Sequence, residues 1–301
     1  MANTYGKVSG TFQEIDNAYG KVSGTWQEAD EIYAKVSGVW QLVFAAFEAT
    51  SYSTLSSGSG TFTVPQGANA IHVQAGVGAG GGGMRGVSYD KAGGESAGGG
   101  GGSGGFVSDK IFSVTEGETI SYSIGSGGAK GTGTYSGSAS GGTNTTLSGS
   151  TTGSLFTLNG GGGASASGGG VQGPLRSNTA GTAGSNTISG SVITSGTFRD
   201  NDGTSKNVTS NTSGPTGTFN DNGNGAVGGN NGNCGGDNCQ IGRSTGGASY
   251  SGNVAGGAGS PQGGSTGGTA GTRGSGGGGG GAQYGTESVT GQGAVGGNGE
   301  V

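Results

Sequence analysis

The sequence predicts an all-β protein with essentially no helix, and three observations carry that prediction. A strand-like unit repeats at the start of the chain, segments that alternate apolar and polar residues follow, and 82 of the 301 residues are glycine. Together they predict short β-meander repeats at the N-terminus, a small β-sandwich, and a Gly-rich bundle of polyglycine-II-like segments joined by polar loops.

The composition excludes several classes of protein. Hydrophobic residues make up 28% of the chain, charged residues 10%, and the formal net charge is −5. Ordinary globular domains are roughly 45–50% apolar with Gly included, but Gly itself makes up only about 7% of them, so a large conventional core is not available. Disordered chains usually add a high net charge to low hydrophobicity, which is not the case here. Nothing indicates nucleic acid as a partner, because there is no basic stripe. The longest apolar run, residues 42–47, is too short for membrane insertion.

Residues 1–48 contain three β repeats with a period of 14 residues, which begin at Tyr5, Tyr19 and Tyr33. Each unit has a β-prone stretch that ends in Val, then Ser-Gly, then a stretch with Phe or Trp near its start. A two-residue turn between two such stretches is typical of a tight hairpin. The repeats therefore predict a small meander of short strands.

The aromatic residues Phe12, Trp26 and Trp40 occupy equivalent places in the repeats. Because side chains along a strand alternate between faces, the three are expected on one side. Two interpretations remain open. These aromatic side chains either form a small core, or they form a docking face for another protein.

Residues 49–128 predict a β-sandwich with a Gly-rich insertion. Four segments in this range alternate between apolar and polar residues, and a turn is expected at 115–118. The Gly run that begins at Gly76 separates the second segment from the third. The four predicted strands are 60–64, 70–75, 105–114 and 119–124.

Residues 129–301 alternate dense Gly tracts with polar spacers, without the strict triplet period of collagen. Polyglycine II is an extended left-handed helix with about 3 residues per turn and no internal hydrogen bonds. Each backbone N–H and C=O must then find a partner on a neighbouring segment. The polar spacers are expected as loops at the ends of such a bundle.

Binding residues commonly lie on loops held by a rigid scaffold, and Tyr and Arg often carry interface energy. The candidate receptor-binding residues are therefore the Tyr and Arg side chains outside the predicted strands, although each could also be an ordinary solvated or packed loop residue. They are Arg85, Tyr89, Tyr135, Arg176, Arg243, Tyr250 and Tyr284.

The sequence offers few residues for catalysis or metal binding. The single histidine, His72, lies in an alternating segment, so no nucleophile triad is predicted. Cys234 and Cys239 either form a local disulfide or are two separate thiols. The Asp-Asn-Asp-Gly sequence at 200–203 lacks the spacing of a calcium loop. The sequence thus predicts no enzyme, no metal and no cofactor.

Two parts of the chain resemble bacteriophage proteins. Residues 58–67, 71–75 and the following Gly run resemble the glycine-rich domain of phage tail fibre proteins, and residues 106–128 continue that pattern. The Tyr-Gly-Lys-Val-Ser-Gly-Thr-Trp-Gln unit resembles short repeats at the starts of phage tail proteins. The Gly tracts of 160–299 are similar in style to the polyglycine-sandwich adhesins at the tips of long tail fibres.

This resemblance implies a tail fibre or tail-tip adhesin that binds a bacterial sugar or outer-membrane protein through its loops. The N-terminal repeats, with Phe12, Trp26 and Trp40, would join it to other tail proteins. Homotrimers are common among such fibres. Residues 1–5 lack a basic segment followed by an apolar one, so the expected location is the virion, outside the cell after lysis.

Two other classes of protein remain open. One is a purely structural virion protein, such as a head fibre or decoration protein. The other is a cellular Gly-rich protein that binds ice or belongs to a matrix. An ice-binding bundle requires small outward residues at regular spacing, and the irregular spacers argue against it.

Overall fold

The structure is a computed structural model. It describes residues 5–8, 11–14, 19–28, 31–45, 54–65, 68–85, 87–88, 94–96, 98–133, 136–167, 177–199, 205–208, 233–235, 270–271, 274 and 293–301. Regular structure in this part of the chain is β-strand throughout, and every strand pairing is antiparallel. The all-β prediction is confirmed. No helix that could span a membrane occurs in the described ranges.

The strands of the described ranges are, in chain order, β1 (Tyr5–Val8), β2 (Thr11–Glu14), β3 (Tyr19–Val22), β4 (Thr25–Glu28), β5 (Glu31–Val36), β6 (Val39–Ala45), β7 (Ser59–Thr63), β8 (Ala70–Val77), β9 (Val87–Ser88), β10 (Gly94–Ser96), β11 (Phe106–Ser113), β12 (Thr119–Ser123), β13 (Gly137–Ser138), β14 (Thr145–Gly149), β15 (Gly153–Leu158), β16 (Ser165–Ser167), β17 (Ser177–Thr179), β18 (Asn186–Ile188), β19 (Gly196–Arg199), β20 (Ser205–Val208) and β21 (Asn233–Gly235).

Each N-terminal repeat folds as its own hairpin, pairing β1 with β2, β3 with β4 and β5 with β6. In the second and third hairpins both turn residues have positive φ, at 51° and 88° for Ser23 and Gly24 and at 50° and 87° for Ser37 and Gly38. Two positive φ values define the type I′ turn, which matches the twist of the flanking strands. The predicted meander is thus a series of hairpins. In the described residues no pairing joins one hairpin to the next, because the tight turn favours pairing within a repeat.

The sandwich consists of a five-stranded sheet, in the order β18-β15-β14-β12-β7, and the two-stranded sheet β8-β11. All four strands predicted between residues 60 and 124 are present. The larger sheet is completed by β14, β15 and β18, which come after residue 128. The sandwich therefore takes strands from both sides of that position.

The two sheets share one small core. The rings of Phe112 in β11 and Phe156 in β15 lie 5.9 Å apart between centroids, and both side chains are fully buried. Around them pack the other buried hydrophobic residues of the two sheets, namely Val64, Val73, Val107, Val114, Ile120, Leu147, Leu155 and Leu158.

The Gly tracts form a second unit, here called the glycine array. It consists of residues 78–84, 98–105, 125–133, 139–144, 159–164, 180–185, 270–271 with 274, and 293–300. The N–H groups of Gly78, Gly81 and Met84 donate to residues 105, 102 and 99 at 2.7–2.8 Å. One bond at every third residue is the period of polyglycine II.

Segment 78–84 lies at the centre of the array, with six segments around it. Gly80 N–H donates to Gly297 O at 2.9 Å and Gly82 N–H to Ser140 O at 3.0 Å. The carbonyl of Ala79 accepts from residue 161, and that of Gly80 from residue 128. The surrounding segments are bonded to each other in turn, in the order 98–105, 159–164, 139–144, 125–133, 293–300 and 270–271 with 274. Segment 180–185 packs outside this ring.

Such close packing requires glycine at the contact points. A Cβ atom at Gly81 would overlap the carbonyl oxygen of Gly162, and one at Gly82 would overlap that of Ala129. In the array the backbone of one segment thus occupies the space of another segment's side chain. The high Gly content is a packing requirement.

The array has two different ends. At the sandwich end the chain passes directly from a strand into an array segment. It does so after Val77, Ile124 and Leu158. Leu55 N–H also donates to Val301 O there at 2.7 Å, and Val301 N–H donates back at 2.9 Å. At the opposite end, called the free end, the segments finish without entering the sandwich.

Candidate functional site

The free end is where the chain makes its connections between array segments. The chain leaves the array at Arg85, Gly133 and Ser167 and returns at Gly98, Ser136 and Ser177. Bonds from Met84 N–H to Gly99 O and from Ala139 N–H to Ala164 O, both 2.8 Å, hold these ends at one level. Connections that are far apart in sequence are therefore brought to one surface.

Two small three-stranded sheets are built from the connecting residues. One has the order β21-β10-β9, with Glu95 paired to Ser88 on one side and to Cys234 on the other. The second has the order β13-β16-β17, with Ala166 paired to Gly137 and Asn178. Pairing of this kind fixes the positions of the paired strand residues relative to one another.

Met84 closes the array at the free end. Its side chain is fully buried and clusters with Ala164 and Ala166. A Cβ atom at Gly131 would overlap the Met84 sulfur, so glycine is needed beside it. The next residue, Arg85, is half-buried, and its Nη1 donates to the carbonyl of Thr132 at 3.4 Å. The side chains of Met84 and Arg85 thus connect the central segment to segments 159–164 and 125–133.

Of the predicted receptor-binding residues, Arg85 is the one inside the described ranges, and it lies at the free end. The others fall on positions outside those ranges. By sequence, Tyr89 lies between Arg85 and Gly98, Tyr135 between Gly133 and Ser136, and Arg176 directly before Ser177. These positions belong to connections that begin and end at the free end.

The remaining candidates lie in longer stretches outside the described ranges. Arg243 and Tyr250 fall between Gly235 and Ala270, and Tyr284 falls between Gly274 and Gly293. Cys234 is part of β21, whereas Cys239 is outside the described residues, so their disulfide stays a prediction. In the described ranges no three His, Cys, Asp or Glu residues are grouped as metal ligands.

The aromatic residues that were predicted to dock to another protein lie in the N-terminal hairpins. In the sequence the hairpins precede all segments that reach the free end. Trp26 is 67% exposed and Trp40 is 66% exposed, so neither packs in a core. Each stands directly opposite a lysine, Lys21 or Lys35. Phe12 pairs in the same way with Lys7, but its side chain is outside the described set.

Sequence reasoning missed several residues of these two surfaces. Tyr19 and Tyr33 are also exposed, by 56% and 50%. They are two positions before Lys21 and Lys35, so the two-residue period of a strand could have placed them on the tryptophan face. Met84 could have been found as the apolar residue that ends the Gly run at 80–83.

One carboxylate has a perturbed pKa, at the end of the sandwich far from the array. Glu118 is buried, and burial raises the pKa of its carboxyl group. Hydrogen bonds from the backbone of Thr115, Thr152 and Thr151 and from the Thr152 hydroxyl outweigh burial, so the pKa lies below its ordinary value. Glu118 lies far from the free end, and several donors hold its carboxylate. We therefore infer that its role is structural.

The flanks of the array carry small exposed residues at a regular spacing. Every third residue is exposed in three outer segments, because each turn of polyglycine II points one residue outward. These rows are Ser126, Ala129 and Thr132, then Thr179, Thr182 and Ser185, and finally Val295 and Asn298.

The fold defines a class, an all-β protein built on a glycine array whose segments are connected at one end and continue into a β-sandwich at the other. The family model for the glycine-rich domain matches residues 54–301, which is most of the chain. The chain therefore belongs to the glycine-rich domain family. A search of curated proteins gave no significant match.

Proposed function

We propose that this protein is a phage tail fibre or tail-tip adhesin that binds a bacterial surface receptor, a sugar or an outer-membrane protein, with the connections at the free end. The observation that carries the proposal is the separation of the two ends of the array. One end is continuous with the sandwich, and there the backbone of Leu55, close to the hairpins in the chain, pairs with Val301. The other end bears the connections and two small sheets.

The array suits this role because it holds loops on a rigid base. Its backbone bonds are made between the array segments themselves, so a connection can vary in sequence without changing those bonds. Binding residues are commonly placed on variable loops over a fixed scaffold. Exposed side chains described at this end, such as Thr132, Ser136 and Lys130, are polar or cationic, which suits a hydrated receptor surface.

The hairpins are proposed to attach the adhesin to the rest of the fibre. An isolated two-stranded hairpin is at best marginally stable in water. The second and third hairpins nevertheless expose Trp26 and Trp40, the residue type most enriched in binding hot spots. A protein partner that covers these side chains would stabilise the hairpins and hold the adhesin.

The number of hairpins favours a partner with threefold symmetry. Three hairpins formed by one repeat, with Lys7, Lys21 and Lys35 each paired with an aromatic residue, can be occupied together by three related sites. A homotrimer presents such sites around one axis. Self-association through three surfaces would instead produce open networks. We therefore propose a trimeric fibre protein as the attachment partner.

The receptor role is tested by exchanging the connection at 86–97, together with 134–135 and 168–176, for the corresponding residues of an adhesin with another host. Particles that carry the exchanged protein should assemble and should adsorb to the other host. The control is a particle with the exposed substitution Val295→Ser on the flank of the array. If exchanged particles keep the original host range, the receptor role is wrong.

A structural virion protein remains the alternative within the same class of particle. Immunogold labelling of the parent particle with antibody against this chain separates the two. Label at the fibre tips supports the adhesin, whereas label on the head supports a head fibre or decoration protein.

One observation favours a second function, ice binding. Ice binding requires small outward residues at regular spacing, and the outward rows of the array have both, for example Thr179, Thr182 and Ser185. The irregular spacers in the sequence had argued against this regularity. Two side chains of the flanks bond instead to the array backbone: Asn298 Oδ1 accepts from Gly127 N–H at 3.0 Å, and Thr143 Oγ1 from Ser126 N–H at 2.7 Å. Because these two flank side chains form bonds within the array, we prefer the adhesin. Thermal hysteresis of the purified protein would favour ice binding.

A further inference from the structure

The third hairpin differs from the second, although each is formed by a copy of the same repeat. Strands β5 and β6 have 6 and 7 residues, whereas β3 and β4 have 4 each. The pairing of β5 with β6 also shifts register between Ile32 and Tyr33, which marks a bulge. The third repeat is therefore a longer ribbon whose pairing is interrupted by a bulge.

The chemical difference lies on the face opposite the tryptophans. Consecutive residues of a strand point to opposite faces, so Val39 and Trp40 lie on the two faces of the third hairpin. Both are largely exposed, by 62% and 66%. At the equivalent places the second hairpin has Thr25 and Trp26. At the first position after the turn on that face, the third hairpin thus exposes a hydrophobic side chain, Val39, where the second hairpin exposes Thr25.

The exposed area points to a protein as the occupant of these surfaces. Four aromatic side chains, each with at least half of its surface exposed, offer roughly 600 Å². A standard protein interface buries about 800 Å² on each partner. The exposed hairpin residues come near that size before the first hairpin is considered, which is far more than a small ligand covers.

We propose that the third hairpin is inserted into a groove between two adjacent subunits of the trimeric attachment partner and is covered on both faces, whereas the second hairpin is covered on its tryptophan face alone. This inference rests on the proposed docking role of the hairpins. A groove between subunits has two walls, and a ribbon with hydrophobic residues on both faces fits between them. The threonine face of the second hairpin suits solvent.

The experiment uses particles assembled without this protein, to which the purified full-length chain is added and the bound amount is titrated. The informative variants are Val39→Lys and Val39→Thr, with Thr25→Lys as the matched control at the equivalent place. Val39→Thr restores the residue that the other repeats carry, so the hairpin can fold with it. We expect Val39→Lys to weaken attachment by about tenfold or more and Val39→Thr by about threefold, whereas Thr25→Lys changes it by less than about twofold.

Trp26→Ala and Trp40→Ala test the docking role itself, and both should weaken attachment. If both bind like the unmodified chain, the docking role is wrong and the inference fails with it. If both weaken attachment but Val39→Lys and Thr25→Lys have equal effects, docking stands and two-sided insertion is overturned. A loss in Val39→Lys with none in Val39→Thr would mean that lysine disrupts the hairpin, and it would also overturn the insertion.

Discussion

The backbone N–H of Thr152 donates a hydrogen bond of 3.0 Å to the carboxylate of Glu118, which joins two turns of the sandwich that are distant in sequence. The same carboxylate accepts from Thr115 N–H at 2.6 Å and from Thr151 N–H at 3.0 Å. A Cβ atom at Gly149 would overlap a carboxylate oxygen, so glycine makes room for it. Glu118 is 4% exposed. Its charge is therefore satisfied almost entirely by these donors.

The first prediction concerns pH. Because the pKa of Glu118 is lowered in the folded protein, its ionised form contributes stability above the ordinary pKa of 4.5. That contribution is lost as the pH falls through the lower folded value. Glu118→Gln should lower the free energy of unfolding by about 1–3 kcal/mol at neutral pH. The difference from the unmodified protein should shrink below the ordinary pKa.

Urea unfolding at about pH 7 and about pH 3 measures this change. The control is Thr151→Ala, which keeps the donating backbone N–H and should leave stability within about 0.5 kcal/mol. A loss for Glu118→Gln that is equal at the two pH values would mean that the ionised carboxylate is not the stabilising form.

The second prediction concerns close packing in the array. Gly81→Ala should lower the free energy of unfolding by about 2–4 kcal/mol, because the new methyl group would overlap the carbonyl of Gly162 and push two segments apart. The control is Gly141→Ala, where the nearest atom, Gly161 O, would be 3.2 Å from the Cβ and the residue is exposed. Thermal unfolding of the two variants provides the comparison. Equal stability would show that the array tolerates side chains at its centre.

The third prediction concerns the segment 293–301. Its carbonyl groups accept the N–H groups of Val77, at the end of β8, and of Gly80 and Gly83 in the central segment at 2.8–2.9 Å. Deletion of the segment would leave these buried donors without their acceptors, at about 1–3 kcal/mol each. We expect the shortened chain to be cleaved rapidly in limited proteolysis. Val295→Ser, at an exposed position of the same segment, should remain resistant, and resistance of both proteins would contradict the prediction.

The fourth prediction concerns the sandwich core. Phe156→Ala should lower the free energy of unfolding by about 3–5 kcal/mol, because it leaves a cavity beside Phe112 in a core too small to compensate. Ile188→Ala, at a residue 37% exposed on the edge strand β18, should cost about 1 kcal/mol or less. Urea unfolding measures both. A similar cost for the two would show that the sandwich does not depend on the pair of Phe rings.

Much of the local structure, but only part of the candidate site, could be predicted from the sequence. The Ser-Gly turns at 23–24 and 37–38 and the turn at 115–118 were predictable, because turn geometry depends on a few neighbouring residues. Arg85 was predicted and lies at the free end. Met84 was missed, because its burial depends on Ala164 and Ala166, which only the fold brings close.

The sequence by itself determined that this protein is all-β, where its early strands lie, and that its Gly tracts need neighbours for their backbone groups. Only the tertiary structure decided which segments become neighbours. Segment 78–84 is central, and residues 293–300 bond beside it although they are last in the chain. The physical reason is that every glycine offers the same donor and acceptor, so composition cannot choose between partners. The flanking strands fix the place of each segment, because their side chains must meet in one core.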